Sequence, residues 1–396
     1  MDFLEIFPHL PAKSIFKFSV VSKECHEILS WKLLANKQCK NLEGREDSCF
    51  FIQPKSAPTS LQLNYLCETS KSFCGFPSAS LEFLSTKGSM IASYNGLLCC
   101  KNLEDAEYPL FLCNPVTKTW LPIIKPTSDF KIDYPFSFIL VCNIDDYNHE
   151  DDYKLMYVGS FSQDVWNTNT KLCRIYWPQK KVWEEYGEMV IGSRSIDFGS
   201  AAYLKNDGGT IHFMSDWGKY IAKNSPFYWP YIVSYNIRSS ISKFLKIPRP
   251  ARKGIFDSDC SCKFGVFKFK DPRTGKESIC LIKLMKLVFS IWILTDAHSN
   301  KWKIILKSRS KAMGLYDDLK PTISGFSVIN GNLLVIATGD NQLYRYPLTR
   351  DGIMSSKVKR AELIGCHQYG MDDLCFYSYS NTLRPCGDGA VPFPQQ

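Results

Sequence analysis

The sequence predicts a mainly β chain: a β-propeller of about six blades, irregular in its repeats, preceded by a small module of three helices. Three observations carry that expectation. Helical periodicity is confined to residues 1 to about 40. From about residue 90 onward, short apolar runs bounded by turn residues follow one another along the chain. Within that stretch one unit recurs: a strand, a second strand, a polar turn and usually a Trp.

The N-terminal module comes first. After Leu10-Pro11-Ala12-Lys13, the apolar residues Ile15 and Phe18 stand three apart. After Ser22, a helix N-cap, Cys25, Ile28 and Leu29 recur at i, i+3 and i+4. Pro8, Pro11 and Ser22 punctuate these short amphipathic helices. Three helices in about 40 residues cannot bury a full core, so the module must lean on the rest of the chain or offer an apolar face to a partner. Residues 1–40 thus form one unit, 41–89 a partly ordered spacer and 90–396 the propeller domain.

The strands justify themselves in turn. Asn95-Gly96-Leu97-Leu98-Cys99-Cys100 leads to Leu110-Phe111-Leu112-Cys113 and, past a turn, to Trp120. Leu172-Cys173-Arg174-Ile175-Tyr176 leads to Lys181-Val182-Trp183, and Thr210-Ile211-His212-Phe213 leads to Ile232-Val233-Ser234-Tyr235-Asn236. Ile279-Cys280-Leu281-Ile282 leads through Ile291-Trp292-Ile293-Leu294 to Trp302, and Leu333 to Ala337 turns at Asp340-Asn341 into Leu343-Tyr344-Arg345-Tyr346 as a hairpin. Trp120 and Trp183 lie one interval of about 60 residues apart, and Trp302 two intervals further on. At the vacant mark between them, Ser239-Ser240-Ile241-Ser242-Lys243-Phe244 supplies the turn and strand. A four-stranded blade cannot bury both faces alone, so an aromatic after each turn packs blade on blade. A pair of β-sandwiches would match the strand density, but the recurrence selects the propeller. Roughly 300 residues accommodate about six blades of roughly 40 to 50 residues each.

Composition bounds the function. With 45% hydrophobic and 22% charged residues over 396 positions, extended disorder is excluded. Met1-Asp2-Phe3-Leu4-Glu5 carries acids where a secretory signal places basic residues, and the run from Leu287 to Leu294 is about half the roughly 20 residues of a membrane span. It reads as a buried strand, and the chain as intracellular, in the nucleus or cytoplasm, with no membrane partner. In a reducing compartment most of the 16 cysteines should be small buried thiols, as Cys99 and Cys100 within their apolar run illustrate. Only Cys260-Ser261-Cys262 and Cys366-His367 put ligands close together, and neither has the spacing of a structural zinc hook, so no metal or cofactor is expected. The net charge of +9 contains no block of five or six basic residues. The densest basic stretch, Lys301-Trp302-Lys303 with Lys307, Arg309 and Lys311, reads as a strand edge protected against pairing and not as a nucleic-acid site.

The segment from Asp2 to Cys25, with Leu10-Pro11-Ala12-Lys13-Ser14-Ile15 and Phe18-Ser19-Val20-Val21-Ser22-Lys23 at its centre, resembles an F-box. Ser93-Tyr94-Asn95-Gly96-Leu97-Leu98-Cys99-Cys100, followed by Cys113-Asn114-Pro115-Val116-Thr117-Lys118-Thr119-Trp120, resembles the signature that opens the F-box-associated, kelch-like domain of plant F-box proteins. The two matches, in this order, span nearly the whole chain. The resemblance implies a kelch-like propeller acting as the non-catalytic substrate-recognition subunit of an SCF-type ubiquitin ligase. In that family the F-box binds a Skp-type adaptor, which links to a cullin and a RING protein, and the C-terminal domain holds the protein to be ubiquitinated. The adaptor-facing residues carried over are Leu4, Leu10, Pro11, Ile15, Phe18, Val20, Val21 and Ile28. Roughly half of them should face the partner, since a helix shows one stripe and cannot aim both ways. The chain starts almost on the first helix, and Cys25 stands where the family commonly has Trp, which removes an aromatic anchor from the expected interface.

Catalytic constellations are not evident. His9, His26, His149, His212, His298 and His367 include no pair at ligand spacing, and Thr274-Gly275-Lys276-Glu277 lacks the rest of a phosphate loop. The acidic run from Asp145 to Asp152 lacks the Gly and terminal Glu of a calcium loop and reads as solvated. The alternative to a receptor is a free-standing propeller enzyme or ligand-binding protein with a vestigial helical cap. Trp166, Trp217 and Tyr220 are candidate recognition aromatics. So are Phe227, Tyr228 and Trp229, which lie in the most loop-like run and are the substrate-binding candidates.

Overall fold

A computed structural model of the chain describes residues 3–29, 32–42, 47, 49–55, 61–66, 78–102, 105, 107–126, 137–142, 153–159, 169–205, 209–257, 262–315, 322–348 and 360–394. Prolines and Ser22 shape its N-terminal module. Helix α1 (Phe3–Ile6) runs into a 3-10 turn (Phe7–His9) with Pro8 in its first turn. Pro11, extended at φ −58° and ψ 146°, then opens α2 (Ala12–Ser19). Ser22 caps α3 (Lys23–Leu29), its Oγ accepting the Cys25 N–H at 3.1 Å. A further helix, α4 (Lys32–Leu42), lies beyond the three that the periodicity predicts. Its Gln38 and Cys39 are fully buried, and polar or small residues at core positions weaken the pattern by which a helix is read.

The strands build a six-bladed propeller. β1 (Cys49–Pro54), β2 (Gln62–Tyr65) and helix α5 (Ser78–Lys87) precede the first complete blade. That blade comprises β3 (Gly88–Tyr94), β4 (Leu97–Asn102), β5 (Leu110–Asn114) and β6 (Thr119–Ile123). Blade 2 comprises β7 (Ser137–Cys142), β8 (Tyr153–Gly159), β9 (Thr170–Trp177) and β10 (Val182–Val190). Blade 3 comprises β11 (Ile196–Leu204), β12 (Thr210–Ser215), β13 (Tyr231–Asn236) and β14 (Ile241–Lys246). Blade 4 comprises β15 (Cys262–Lys270), β16 (Glu277–Met285), β17 (Val288–Asp296) and β18 (Lys301–Arg309). Blade 5 comprises β19 (Ile323–Ile329), β20 (Leu333–Thr338), β21 (Gln342–Pro347) and β22 (Glu362–Cys366). β23 (Leu374–Tyr379) and β24 (Val391–Pro392) end the chain's strands. Each blade is antiparallel, and the inner strands β3, β7, β11, β15, β19 and β23 neighbour one another around the axis.

The two ends of the chain close this ring. β23 is the inner strand of the sixth blade and pairs antiparallel with β1, from Cys49 opposite Tyr379 to Pro54 opposite Leu374, and β2 lies outside β1. The expected division at residue 90 therefore changes, because 41–89 supplies two strands of the sixth blade and is not simply a spacer. Phe50, Phe51 and Ile52 of β1 are fully buried there, and β23 without them would present an open edge. Past β23 the tail crosses to blade 1, where β24 adds a fifth strand with Val391 opposite Trp120. Asn114 holds the tail, its Nδ2 donating to the carbonyls of Thr382 at 2.9 Å and Arg384 at 2.7 Å. The Thr382 hydroxyl donates to the Asn95 carbonyl at 2.9 Å. Beside it Gly96 has φ 88°, and a Cβ there would fall 2.0 Å from that hydroxyl, so only glycine fits. Both sequence motifs, around Asn95-Gly96 and Cys113-Asn114, thus grip the C-terminal tail.

The recurring Trp marks blade junctions. Lys118, Lys181, Ser240 and Asn300 are left-handed, with φ of 54°, 55°, 54° and 53°, and two residues after each come Trp120, Trp183, Ser242 and Trp302. Trp183 Nε1 donates to the Ile124 carbonyl beside blade 1 at 2.8 Å, and Trp302 Nε1 to the Lys246 carbonyl of blade 3 at 3.0 Å. At the vacant mark Ser242 Oγ accepts the Val190 N–H of blade 2 at 2.9 Å. Each thereby ties its blade to the preceding one. Trp120 instead packs on Phe83 of α5 and on Phe111, at 5.9 Å in both cases. Cys99, Cys100, Cys113, Cys173 and Cys280 are buried free thiols within the blades.

Candidate recognition surfaces

The helical module divides its apolar residues between two directions. Ala12 and Ile15 face the propeller, joining a core with Phe51 of β1, Phe83 of α5 and Phe111 of β5. Phe7, Cys25 and Leu34 form a smaller cluster inside the module, and Leu10 packs on both clusters. Phe16, Phe18, Val20 and Val21 are left exposed, Val20 at 85% and Val21 at 69%. Phe18 is steadied by the Phe7 ring at 5.5 Å. Of the residues carried over from the resemblance, Pro11, Phe18, Val20 and Val21 are exposed, whereas Leu10 is half-buried and Ile15 buried. The side chains of Leu4 and Ile28 lie outside the described residues. Cys25 is buried against Phe7 and Leu34, so this position packs within the module. Phe16, also exposed, escaped the sequence reading. The run Ile15-Phe16-Lys17-Phe18 puts apolar groups on more than one side of α2, and a stripe at three- and four-residue spacing captures only one of them.

The second surface is the loop between β12 and β13. Alternate connections of an antiparallel blade lie at opposite ends, so this loop is on the face away from the β3–β4 turn, where the helical module sits. Arg194 organises it. The side chain is fully buried, with Nε donating to the Phe227 carbonyl at 2.8 Å, Nη1 to the Gly218 carbonyl at 2.9 Å and to Asp216 Oδ1 at 3.1 Å, and Nη2 to the Tyr228 carbonyl. Tyr220 donates its hydroxyl to Asp216 Oδ2, and its ring lies 5.4 Å from the guanidinium. Burial and that hydrogen bond push the Tyr220 phenol upward, so it stays a neutral donor. Phe227, Tyr228 and Trp229 are half-buried. Phe227 packs on Tyr231 at 5.2 Å, while Tyr228 and Trp229 pack on Phe256 at 5.2 and 5.3 Å. These three brace the loop, and its most exposed aromatic is Tyr220 at 56%. Trp166 lies outside the described residues.

Between the faces runs a central cavity of about 880 Å³, lined by the inner strands of all six blades. Lys263 spans three of those blades, bonding Asp373 Oδ1 at 2.5 Å and the Ile323 carbonyl at 3.1 Å, and Lys268 pairs with Glu277 at 2.5 Å. No histidine lines the cavity among the described residues, and none of their His, Cys, Asp and Glu side chains form a group of three that could hold a metal ion. The acidic run from Asp145 to Asp152 is outside the described residues. No helix among the described residues is long and apolar enough to cross a membrane.

Against known proteins, the chain is similar to an F-box/kelch-repeat protein of Arabidopsis thaliana, 27% identical over 134 residues, which cover 34% of this chain and 31% of that one. No protein-family model matches. Similar solved structures include an oligogalacturonate lyase in complex with manganese, with a TM-score of 0.38 and 13% identity over 69% of this chain and 64% of that one. The Dos1 propeller has a TM-score of 0.36 and 11% identity over 72% and 75%.

Proposed function

We propose that the chain is the substrate-recognition subunit of an SCF-type ubiquitin ligase. Its helical module docks on a Skp-type adaptor, which brings the cullin and RING protein, and its propeller holds the protein to be ubiquitinated. The observation that carries this reading is the set of exposed apolar residues Phe16, Phe18, Val20 and Val21. A module serving only as a cap would turn such residues toward the propeller, as it does Ala12 and Ile15. The similarity to an F-box/kelch-repeat protein supports the same reading. The ordered loop around Tyr220, on the opposite face, is suited to target binding because a rigid scaffold fixes its shape.

The test is co-purification with a Skp-type adaptor. The wild-type chain should retain it, and Val20→Glu with Val21→Glu should weaken the complex at least about thirtyfold while leaving the melting temperature unchanged. Ile15 is unsuited to this test, since its substitution would disturb the joint with the propeller. A chain that bound no adaptor, but melted higher with a small molecule, would instead be a ligand-binding propeller.

A further inference from the structure

We propose that the outer rim of blades 3 and 4 binds an acidic, apolar-punctuated segment of a partner protein. The inference rests on the rim alone and not on adaptor binding. β14 and β18 are the outermost strands of these blades, and the end of one touches the start of the other. The Lys246 carbonyl, at the end of β14, accepts from Asn300 Nδ2 at 2.8 Å and from Trp302 Nε1 at 3.0 Å, at the start of β18. Along this path Lys243, Lys246, Lys301, Lys303, Lys307 and Arg309 are all exposed. None of them forms an ion pair among the described residues. Neither strand contains an acidic residue.

Protection of a strand edge explains charge but not its sign. β10, the corresponding strand of blade 2, carries Glu184, Glu185 and Glu188, and two of these engage Lys180 and Arg174. An acidic edge therefore serves this fold as well as a basic one. A run of unpaired cations over two adjoining blades repels itself, and a complementary surface would relieve that repulsion.

The apolar groups decide the class of partner. Ile241, Phe244 and Ile304 are exposed among the cations. Phosphate recognition favours Arg forks, and single-stranded bases stack on aromatic platforms. Here five of the six cations are lysines, β18 exposes the aliphatic Ile304, and the Phe244 ring of β14 is already packed on Phe227 and Tyr231, each at 5.3 Å. Carboxylates interspersed with Leu or Ile match both features. β14, of six residues, is about 20 Å long and β18, of nine, about 30 Å at about 3.3 Å per residue, so an extended segment of about 15 residues has the length to contact both.

Fluorescence anisotropy of the full chain tests this with three labelled probes: a peptide of about 15 residues of Glu with Leu at every third position, an all-Glu peptide of equal length, and a single-stranded RNA of equal length. The Glu/Leu peptide should bind, more tightly at low salt than at about 0.15 M. Lys301→Glu with Lys303→Glu and Lys307→Glu should weaken it about tenfold or more, with the melting temperature and adaptor capture unchanged. Ile304→Ser should weaken the Glu/Leu peptide but not the all-Glu one. No binding at low salt, binding indifferent to the triple reversal, or tighter binding of the RNA would each overturn the proposal. Because adaptor capture is read on the same variants, failure of this inference is distinguishable from failure of the ligase reading.

Discussion

Single buried polar side chains do long-range work in this ring. Asn114 uses its whole amide: Oδ1 accepts the Val116 N–H at 2.9 Å, and Nδ2 holds carbonyls 268 and 270 residues away. The local turn is legible in Asn114-Pro115, but the clamp is not, because its partners are backbone carbonyls of no particular residue type. His212 carries a different consequence. It is buried in β12, its Nδ1 shares a hydrogen bond with Ser234 Oγ at 2.7 Å, and its Nε2 has no partner among the described residues. Burial pushes the imidazole down to about 4. The unfolded chain takes up the proton near pH 6.5, so the fold keeps its full stability above that pH and loses it as pH falls from about 6.5 to about 4. Urea unfolding should therefore show a loss of about 2 kcal/mol from this group between about pH 7 and about pH 5. His367, lowered by burial, shifts in the same direction, so the comparison is between wild type and His212→Gln. An equal slope in the two would assign the acid sensitivity elsewhere.

At the level of elements, the repeated strands were legible because each pairs with its neighbour in sequence and alternates or buries locally. The hairpin read from Leu333 to Tyr346 is the β20–β21 pair, with Leu334 opposite Tyr346. The Trp interval was legible too, since Trp183 and Trp302 occupy equivalent positions two junctions apart, with Ser242 at the junction between them. β1 was not, although all six of its residues are buried, because its partner β23 lies at the other end of the chain and no local pattern announces such a pairing. The helical stripe had the same blindness: it marks Leu10, Ile15 and Phe18 as apolar without saying whether propeller or partner covers them. The closure predicts how the chain can be divided. A protein beginning at residue 90 lacks β1 and β2, so β23 keeps an unpaired edge and the apolar surface around Phe376 is uncovered. It should aggregate, whereas one beginning at residue 47 should unfold cooperatively. Size-exclusion chromatography and thermal melts distinguish the two, and a monomeric, cooperatively melting 90–396 protein would show that the sixth blade is dispensable.

The whole molecule separates its two candidate surfaces. The helical module sits by the β3–β4 turn, where Asn95 Nδ2 donates to the Cys39 carbonyl at 3.3 Å, and the Tyr220 loop lies on the opposite face. A partner on the module's exposed apolar residues would thus leave the loop and the basic rim free. Beside the apolar joint at Ala12 and Ile15, the module is held by Gln38, which is fully buried. Its Oε1 accepts the Leu383 N–H at 2.9 Å and its Nε2 donates to the Leu10 carbonyl at 3.2 Å, so one side chain joins α4 to both the C-terminal tail and the module's own turn. Gln38→Ala leaves that N–H and that carbonyl unpaired, at a cost of about 2–4 kcal/mol. The cost falls on the joint and not on the blades, whose ladders and Trp junctions do not involve Gln38. Amide hydrogen exchange in residues 3–42 should therefore quicken about thirtyfold or more, while exchange in β16 and β17, far round the ring, stays as in wild type. The exposed residues Phe16, Phe18, Val20 and Val21 make no use of Gln38, so adaptor capture should persist. Equal acceleration in the module and in blade 4 would mean that the helices fold as one cooperative unit with the propeller and are not a separately docked module.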